Sequence, residues 1–320
     1  MKKATKIWLI TAASLVLIGC IIFAGIMSML KWDFRKLSTF KYEKNTYEIN
    51  EEFNSIFLNT DTADITFLLS SDGKCRVACY EPENAKHSVT VKEDTLIVEE
   101  IDNIPWYKKI GINFGSTKIT VYFPKAEYTS LLIKESTGDI EIPRDFIFQN
   151  VDISLSTGDV EFYASASESV KIKASTGDIE VENISAGSLD LSVSTGEIDA
   201  QGVNCEGNIS VSVSTGEAEL TNVKCKNFIS SGDTGDLSLE NIIAKEKFSI
   251  KRTTGDVKFR GSDAAEIFIK TDTGNVVGSL LTDKVFITDT STGRIDVPKT
   301  VTGGICEIKT DTGRIKITIQ

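Results

Sequence analysis

Ser136-Thr137-Gly138-Asp139-Ile140-Glu141-Ile142 is a stretch to which the chain keeps returning. Its glycine recurs as Gly158, Gly177, Gly196, Gly216, Gly235, Gly255, Gly274, Gly293 and Gly313, always at a step of 19 or 20 residues. A fixed short period marks a solenoid, in which each repeat is one unit that buries its apolar face only by stacking on its neighbours. Counted from each glycine, apolar residues favour positions +2 and +4, then +7 and +9, then −7, −5 and −3 before the next glycine. In the coil of Gly177 these are Ile179, Val181, Ile184, Ala186, Leu189, Leu191 and Val193. Alternation with period 2 is the pattern of half-buried strands, and no stretch after Leu30 carries the 3.6-residue period of a helix. The expected fold is therefore all-β. It is a β-solenoid of about 19–20 residues per coil, wound right-handed, with parallel pairing between coils and one transmembrane helix in front.

The corner explains its own residues. Glycine reaches positive φ without steric cost. Threonine at −1 suits a turn and stacks in a ladder from coil to coil. Asn183, Gly202 and Asn222 supply turn chemistry at a second corner. Position +1 carries Asp139, Asp159, Asp178, Glu197, Glu217, Asp236 and Asp256, then Asn275, Arg294 and Arg314. Acids stacked at strand spacing repel one another unless they face water, where salt screens them. The column is read first as a structural turn element. A linear cation edge suited to calcium is the alternative, but the nonapeptide of calcium-binding β-rolls is missing. A third reading makes this edge a docking place for a partner.

Outward from the array, the chain divides into a short tail at 1–6, an apolar run at 7–30, a juxtamembrane spacer at 31–54, degenerate coils and capping strands at 55–135, and regular repeats at 136–320. The uncharged run from Ile7 to Leu30 is long enough to cross a bilayer. Leu17-Ile18-Gly19-Cys20 has the form of a lipobox, which makes Cys20 a lipidation candidate. The apolar run continuing to Leu30 argues for a membrane anchor instead. Lys2, Lys3 and Lys6 favour a cytoplasmic N-terminus, whereas Lys31, Arg35, Lys36 and Lys41 pull the other way, so charge alone leaves orientation open. Ala63 stands where the corner glycine of a degenerate first coil would stand, with Ile56 and Leu58 at −7 and −5. Strands are expected at Lys74 to Tyr80, Ser88 to Val91, Thr95 to Glu99 and Lys118 to Phe123. An inserted loop at 103–117 carries Trp106, Tyr107, Lys108 and Lys109, read either as a binding surface or as a cap over the solenoid end. Stacking in chain order leaves Ile315 to Ile319 as the open edge.

Chemistry is scarce. A net charge of −11 with no basic stripe argues against nucleic acid. Six cysteines without a CxxC pair, and one histidine, His87, argue against zinc, so neither metal nor cofactor is expected. Cys205 and Cys225 fall in one inward column and are read as buried thiols. No nucleophile elbow, HExxH, P-loop or dinucleotide fingerprint occurs, and no catalytic residue is nominated.

The basic start, the apolar span, the Trp32-Asp33-Phe34 juncture and the serial Ser-Thr-Gly-Asp coils together resemble a family of bacterial envelope proteins. It is a domain-of-unknown-function family labelled "putative adhesin". The resemblance covers nearly the whole chain and brings no catalytic residues. It implies a non-catalytic binding or scaffold module held outside the membrane of a Gram-positive cell, facing envelope protein or cell-wall glycan. The alternatives are an accessory of envelope-stress signalling and, further off, a β-helix enzyme acting on carbohydrate.

Overall fold

The computed structural model describes residues 3–33, 36, 40–101 and 115–320. Helix α1 (Lys3–Met29) holds a stretch, Thr5–Met29, long and apolar enough to cross a membrane, and apart from the buried Met27 its residues are exposed. The helix closes with Lys31 and Trp32 at φ 55° and 59°. Trp32 N–H donates to Met27 C=O (2.8 Å) and Lys31 N–H to Ser28 C=O (3.1 Å), the Schellman pattern that satisfies the last carbonyls of a helix.

The body is a β-solenoid of about 10 turns. It opens with β1 (Tyr42–Ile49), β2 (Ser55–Thr62), β3 (Asp64–Leu69), β4 (Cys75–Pro82), β5 (His87–Lys92), β6 (Thr95–Glu100), β7 (Lys118–Phe123), β8 (Glu127–Thr137) and β9 (Ile140–Ile142). The strands expected at 74–80, 88–91, 95–99 and 118–123 are β4 to β7. The stretch expected as a spacer, 31–54, contains β1. Strands β2 and β3 form the degenerate first coil around Ala63. Ile56 lies opposite Leu131 and Leu58 opposite Ile133, while Ala63 N–H donates to Thr137 C=O at 3.0 Å.

This first coil is not the end of the stack. Beyond it, β6 and β7 pair in parallel with β2 and β3, and antiparallel strands close the end. There β4 joins β7 and β1, and β5 joins β6. Antiparallel strands stop the parallel array from propagating, as terminal repeats of a solenoid must. Phe67, Phe123, Phe146 and Phe148, all fully buried, fill the core beneath this cap.

From β8 onward successive coils pair in parallel and in register. Val160, Ile179 and Ile198 align at +2, and Val151, Val170, Leu189 and Ile209 align at −7, each buried. The second corner is a column in the left-handed region, with Asn183, Gly202, Asn222, Asn241 and Gly261 at φ between 56° and 66°. Only glycine and asparagine enter that region readily.

The first corner is more demanding. Gly177 sits at φ 126°, and a Cβ there would lie 2.0 Å from the carbonyl oxygen of Gly158 in the preceding coil. The same approach repeats up the column, so each glycine makes room for the carbonyl of the one before it. Glycine N–H groups donate to the −1 threonine carbonyl of the next coil, as Gly158 does to Thr176 at 3.0 Å. The threonines stack in register, and their backbone carbonyls carry the corner hydrogen bonds.

Two features depart from the sequence expectation. In the −3 column, otherwise held by residues such as Leu155, Ala174 and Val193, Arg252 is buried at 1% exposure. Its neighbour Gly232 leaves the space: a Cβ on Gly232 would fall 1.8 Å from Arg252 Nη1. The guanidinium donates from Nη2 to Ser230 Oγ (3.1 Å), while Nε and Nη1 have no hydrogen-bond partner among the described residues.

The second departure is the order of the last coils. Gly304–Thr312 lies between Val257–Thr273 and Lys284–Thr292, and Ile315–Ile319 lies between Val276–Leu280 and Ile295–Asp296. The open edge is thus Lys284–Thr292 with Ile295–Asp296, and not Ile315 to Ile319. Apolar content explains the exchange. The coil of Gly313 points Cys306, Ile308, Ile315 and Ile317 inward, all buried, whereas the coil of Gly293 offers Thr288 at the matching position and meets Pro298 two residues past its last strand. Proline cannot donate to a ladder and belongs at an edge.

Gly177→Ala should therefore cost about 2–5 kcal/mol, combining backbone strain with a collision that only movement of the whole neighbouring coil relieves. Urea unfolding of the purified chain checks this; a change under about 0.5 kcal/mol, ordinary for a surface site, would refute the stacking argument.

Candidate functional site

The +1 carboxylates stand along the first corner, and most of them have a structural task. Asp139 Oδ1 accepts the N–H of Asp159 (3.0 Å), Asp159 that of Asp178 (2.8 Å), and Asp178 that of Glu197 (2.7 Å). Further along, Asp236 accepts from Asp256 (2.9 Å), Asp256 from Asn275 (2.7 Å), and Asn275 from Arg314 (2.9 Å). Asp64, one residue past Ala63, begins the column and accepts from Asp139 N–H at 3.5 Å. Each short side chain thus satisfies a turn amide of the next coil. Glu197 and Glu217, one methylene longer, accept no such bond among the described residues. Asparagine serves as well as aspartate because the required group is an acceptor oxygen.

A second acidic column runs beside the first; the sequence alone does not single it out, because only parallel register brings residues 19 or 20 apart side by side. Position +3 places Glu141, Glu161, Glu180, Asp199 and Glu219 directly opposite one another on adjacent parallel strands. These side chains alternate with the buried +2 and +4 residues and are exposed or half-exposed. Like charges in register destabilise a sheet. The effect shows in two groups. Burial, then the charges of Asp178, Glu219, Glu217 and Asp199, raises the Glu197 carboxyl above its ordinary range. Burial, then Glu180, Glu219 and Glu182, raises Asp199. Toward the C-terminal end the face is compensated. Partial burial works to raise Asp236, but hydrogen bonds from Lys258 Nζ (2.7 Å) and Asp256 N–H, with the charges of Lys258 and Arg252, outweigh it and hold it low. Between the two columns a groove of about 190 Å³ is lined by Asp64, Thr66, Asp139, Glu141, Asp159 and Glu161.

Across the corner, a second groove of about 350 Å³ is lined by Asn59, Lys134, Glu135, Ser136, Ser154, Ser156, Lys173 and Ser175. Glu135 occupies the apolar −3 position and is 5% exposed. Its Oε1 accepts from Ala63 N–H (3.2 Å) and Thr137 N–H (3.3 Å), and Oε2 is without a partner among the described residues. Burial pushes its carboxyl up from 4.5 to about 7, against the pull of those amides.

At the far end a cavity of about 690 Å³ is lined by Ile243, Ala264, Leu281, Asp263, Lys284 and Gly304, among others. Asp263 and Lys284 pair there at 2.6 Å, both nearly buried.

The cysteines are poor nucleophiles. Burial pushes the Cys75, Cys79, Cys225 and Cys306 thiols up to about 12. Cys205 and Cys225 are buried free thiols, as the inward column requires. Cys20 lies within α1 and is exposed. Trp106, Tyr107, Lys108 and Lys109 lie outside the described residues.

Residues 53–212 and 204–320 match the model of the family described as Toastrack DUF4097. The chain belongs to this family. No curated protein matches it. Among solved structures, this Toastrack chain is similar to a "putative adhesin" from Bacteroides fragilis NCTC 9343, at 19% identity and a TM-score of 0.41, over 87% of this chain and 97% of that one. A "putative adhesin" from Parabacteroides merdae ATCC 43184 matches at 14% identity and a TM-score of 0.47, over 87% and 96%. Another from Parabacteroides distasonis ATCC 8503 matches at 14% and 0.48, over 87% and 98%.

Two outcomes test this corner. Asp159→Ala should cost about 1 kcal/mol by stripping Asp178 N–H of its acceptor, and Asp159→Asn should cost clearly less, because an acceptor oxygen remains. Equal losses in chemical denaturation would show that charge, and not the hydrogen bond, matters. Glu135 has its pKa raised on folding, so the protonated form is favoured in the native state. Its contribution is fully present below about pH 4.5 and is lost as pH rises through about 7. Glu135→Gln should therefore flatten the fall in melting temperature across that window and melt higher than the parent at pH 8; an unchanged slope would refute the assignment.

Proposed function

We propose that this Toastrack protein is a single-pass, membrane-anchored binding module of the cell envelope. Helix 7–30 is the anchor and residues 1–6 face the cytoplasm. The spacer at 31–54 leads to the cap at 55–135 and the repeat body at 136–320, both outside the cell, with no catalytic role. An apolar helix left uncovered by the body supports the anchor, and its continuation nine residues past Cys20 favours a span over lipidation of that cysteine.

The observation that carries the binding role is the +3 column. The +1 aspartates are occupied in holding the corner together, each accepting an amide of the next coil. Glu141, Glu161, Glu180, Asp199 and Glu219 perform no such task and repel one another in register. Tyr163 Oη donates to two of them, Glu180 Oε1 (2.9 Å) and Glu161 Oε2 (3.3 Å); a column of one sign facing water suits a cationic partner, such as a basic segment of an envelope protein or an amino-bearing cell-wall glycan. Trp106, Tyr107, Lys108 and Lys109 belong to the binding surface in this reading.

The test is binding of oligolysine to the purified full-length protein in detergent, followed by calorimetry at two salt concentrations. Saturable binding that weakens with salt, and falls about tenfold or more in Glu180→Gln/Asp199→Asn/Glu219→Gln, is expected. Equal binding by that triple variant would move the partner to another surface. Thiol labelling of a cysteine introduced at Ser231, from outside intact cells, checks the topology.

A further inference from the structure

Sequence spacing argued against a metal, yet the fold gathers three metal-ligating side chains in the cap. Cys79 and Glu81 lie two apart on β4 and so share one face, and the turn after Pro82 returns the chain so that His87 opens β5 beside them. A ligand atom of each, the Cys79 sulfur, a Glu81 oxygen and a His87 ring nitrogen, lies within 4.8 Å of the others. All three residues are buried, Glu81 and Cys79 completely and His87 at 4% exposure. We propose that Cys79, Glu81 and His87 form a binding site for a divalent cation of zinc type.

The surroundings are built as a ligand set requires. Asn45 Nδ2 donates to Glu81 Oε1 (2.6 Å), and His87 N–H donates to Glu81 Oε2 (2.8 Å), so the carboxylate is fixed from two sides. Tyr47 Oη donates to His87 C=O (3.1 Å), tying the histidine backbone to β1. Such outer contacts orient ligands and are part of a functioning metal site. His87 Nδ1 and Glu81 Oε2 stand 2.7 Å apart, a separation bridged by a proton. A cation bound by His87 Nδ1, Glu81 and the Cys79 sulfur takes the place of the proton between the first two: the imidazole binds as the neutral tautomer with its proton on Nε2, and the Cys79 thiol gives up its proton to solvent as the sulfur–metal bond forms. One sulfur, one nitrogen and one oxygen make a mixed donor set that suits zinc, and exclude the all-oxygen preference of calcium and magnesium.

Three protein ligands leave a position open for water. A cavity of about 190 Å³, lined by His87, Glu100, Asp61, Asn84 and Thr117, reaches His87 and provides both that water and a route of entry. The ion joins β4 and β5 and, through Asn45 and Tyr47, β1. It ties down the antiparallel strands that close the stack at the end nearest α1.

Cobalt(II) is the probe. Titrated into the reduced full-length protein in detergent, it should give a thiolate-to-cobalt absorption band that saturates at one ion per chain and is removed by excess zinc. Absence of that band in the unaltered protein overturns the proposal without any variant. Cys79→Ser should abolish the band, and His87→Gln should weaken binding about tenfold or more, while Cys225→Ser, buried in the solenoid body, should leave it unchanged. Circular dichroism establishes that each variant folds. A band that survives in folded Cys79→Ser would place the ion elsewhere and refute the site. Zinc should raise the melting temperature of the unaltered protein and leave that of His87→Gln nearly unmoved.

Discussion

Everything in the body depends on how closely one corner approaches the next. The carbonyl oxygen of each corner glycine occupies the place where a Cβ on its successor would lie, at 1.7–2.1 Å for Gly158 through Gly274. No side chain fits there. That approach sets the coil spacing, brings glycine N–H to the neighbouring threonine carbonyl, and holds the +1 amide within reach of a short carboxylate. The acids at +1 follow from it. Aspartate reaches the next amide, asparagine does so equally, and glutamate does not. What first looks like a repeated candidate site is mostly the hydrogen bonding of a tight turn.

The same strictness makes the exceptions informative. Glu135 and Arg252 both stand in an apolar column, and each is accommodated differently. Glu135 is met by two backbone amides, and burial pushes its carboxyl up to about 7, beside the degenerate corner at Ala63. Arg252 fits because Gly232 has no side chain in the adjacent coil. Buried groups with unpaired polar atoms lower stability unless something compensates. Nothing in the structure explains why an arginine is kept at 252.

At both ends the coils do not stack in chain order. At the N-terminal end β6 and β7 lie outside the first coil, with antiparallel β1, β4 and β5 beside them, and β8 and β9 then stack on the opposite side of that coil. At the C-terminal end the coil of Gly313 returns inside the coil of Gly293 and leaves the more polar, proline-bearing strand at the edge. Ends of solenoids need such closure because a bare parallel edge invites another chain.

The sequence by itself determined the repeat, its period, the strands, both corner columns, the apolar helix and the atypical first coil. These are local or strictly periodic, so the residue pattern records them directly. Tertiary structure alone decided the exchange of the last two coils, since two coils of nearly equal length and similar pattern compete for one neighbour and total apolar burial selects between them. It alone aligned the +3 acids into a face, because parallel register turns residues 19 or 20 apart into contacts. And it alone brought Cys79, Glu81 and His87 together. Their spacing follows no familiar motif, since a turn and two strands, rather than the order of residues, set the distances between them.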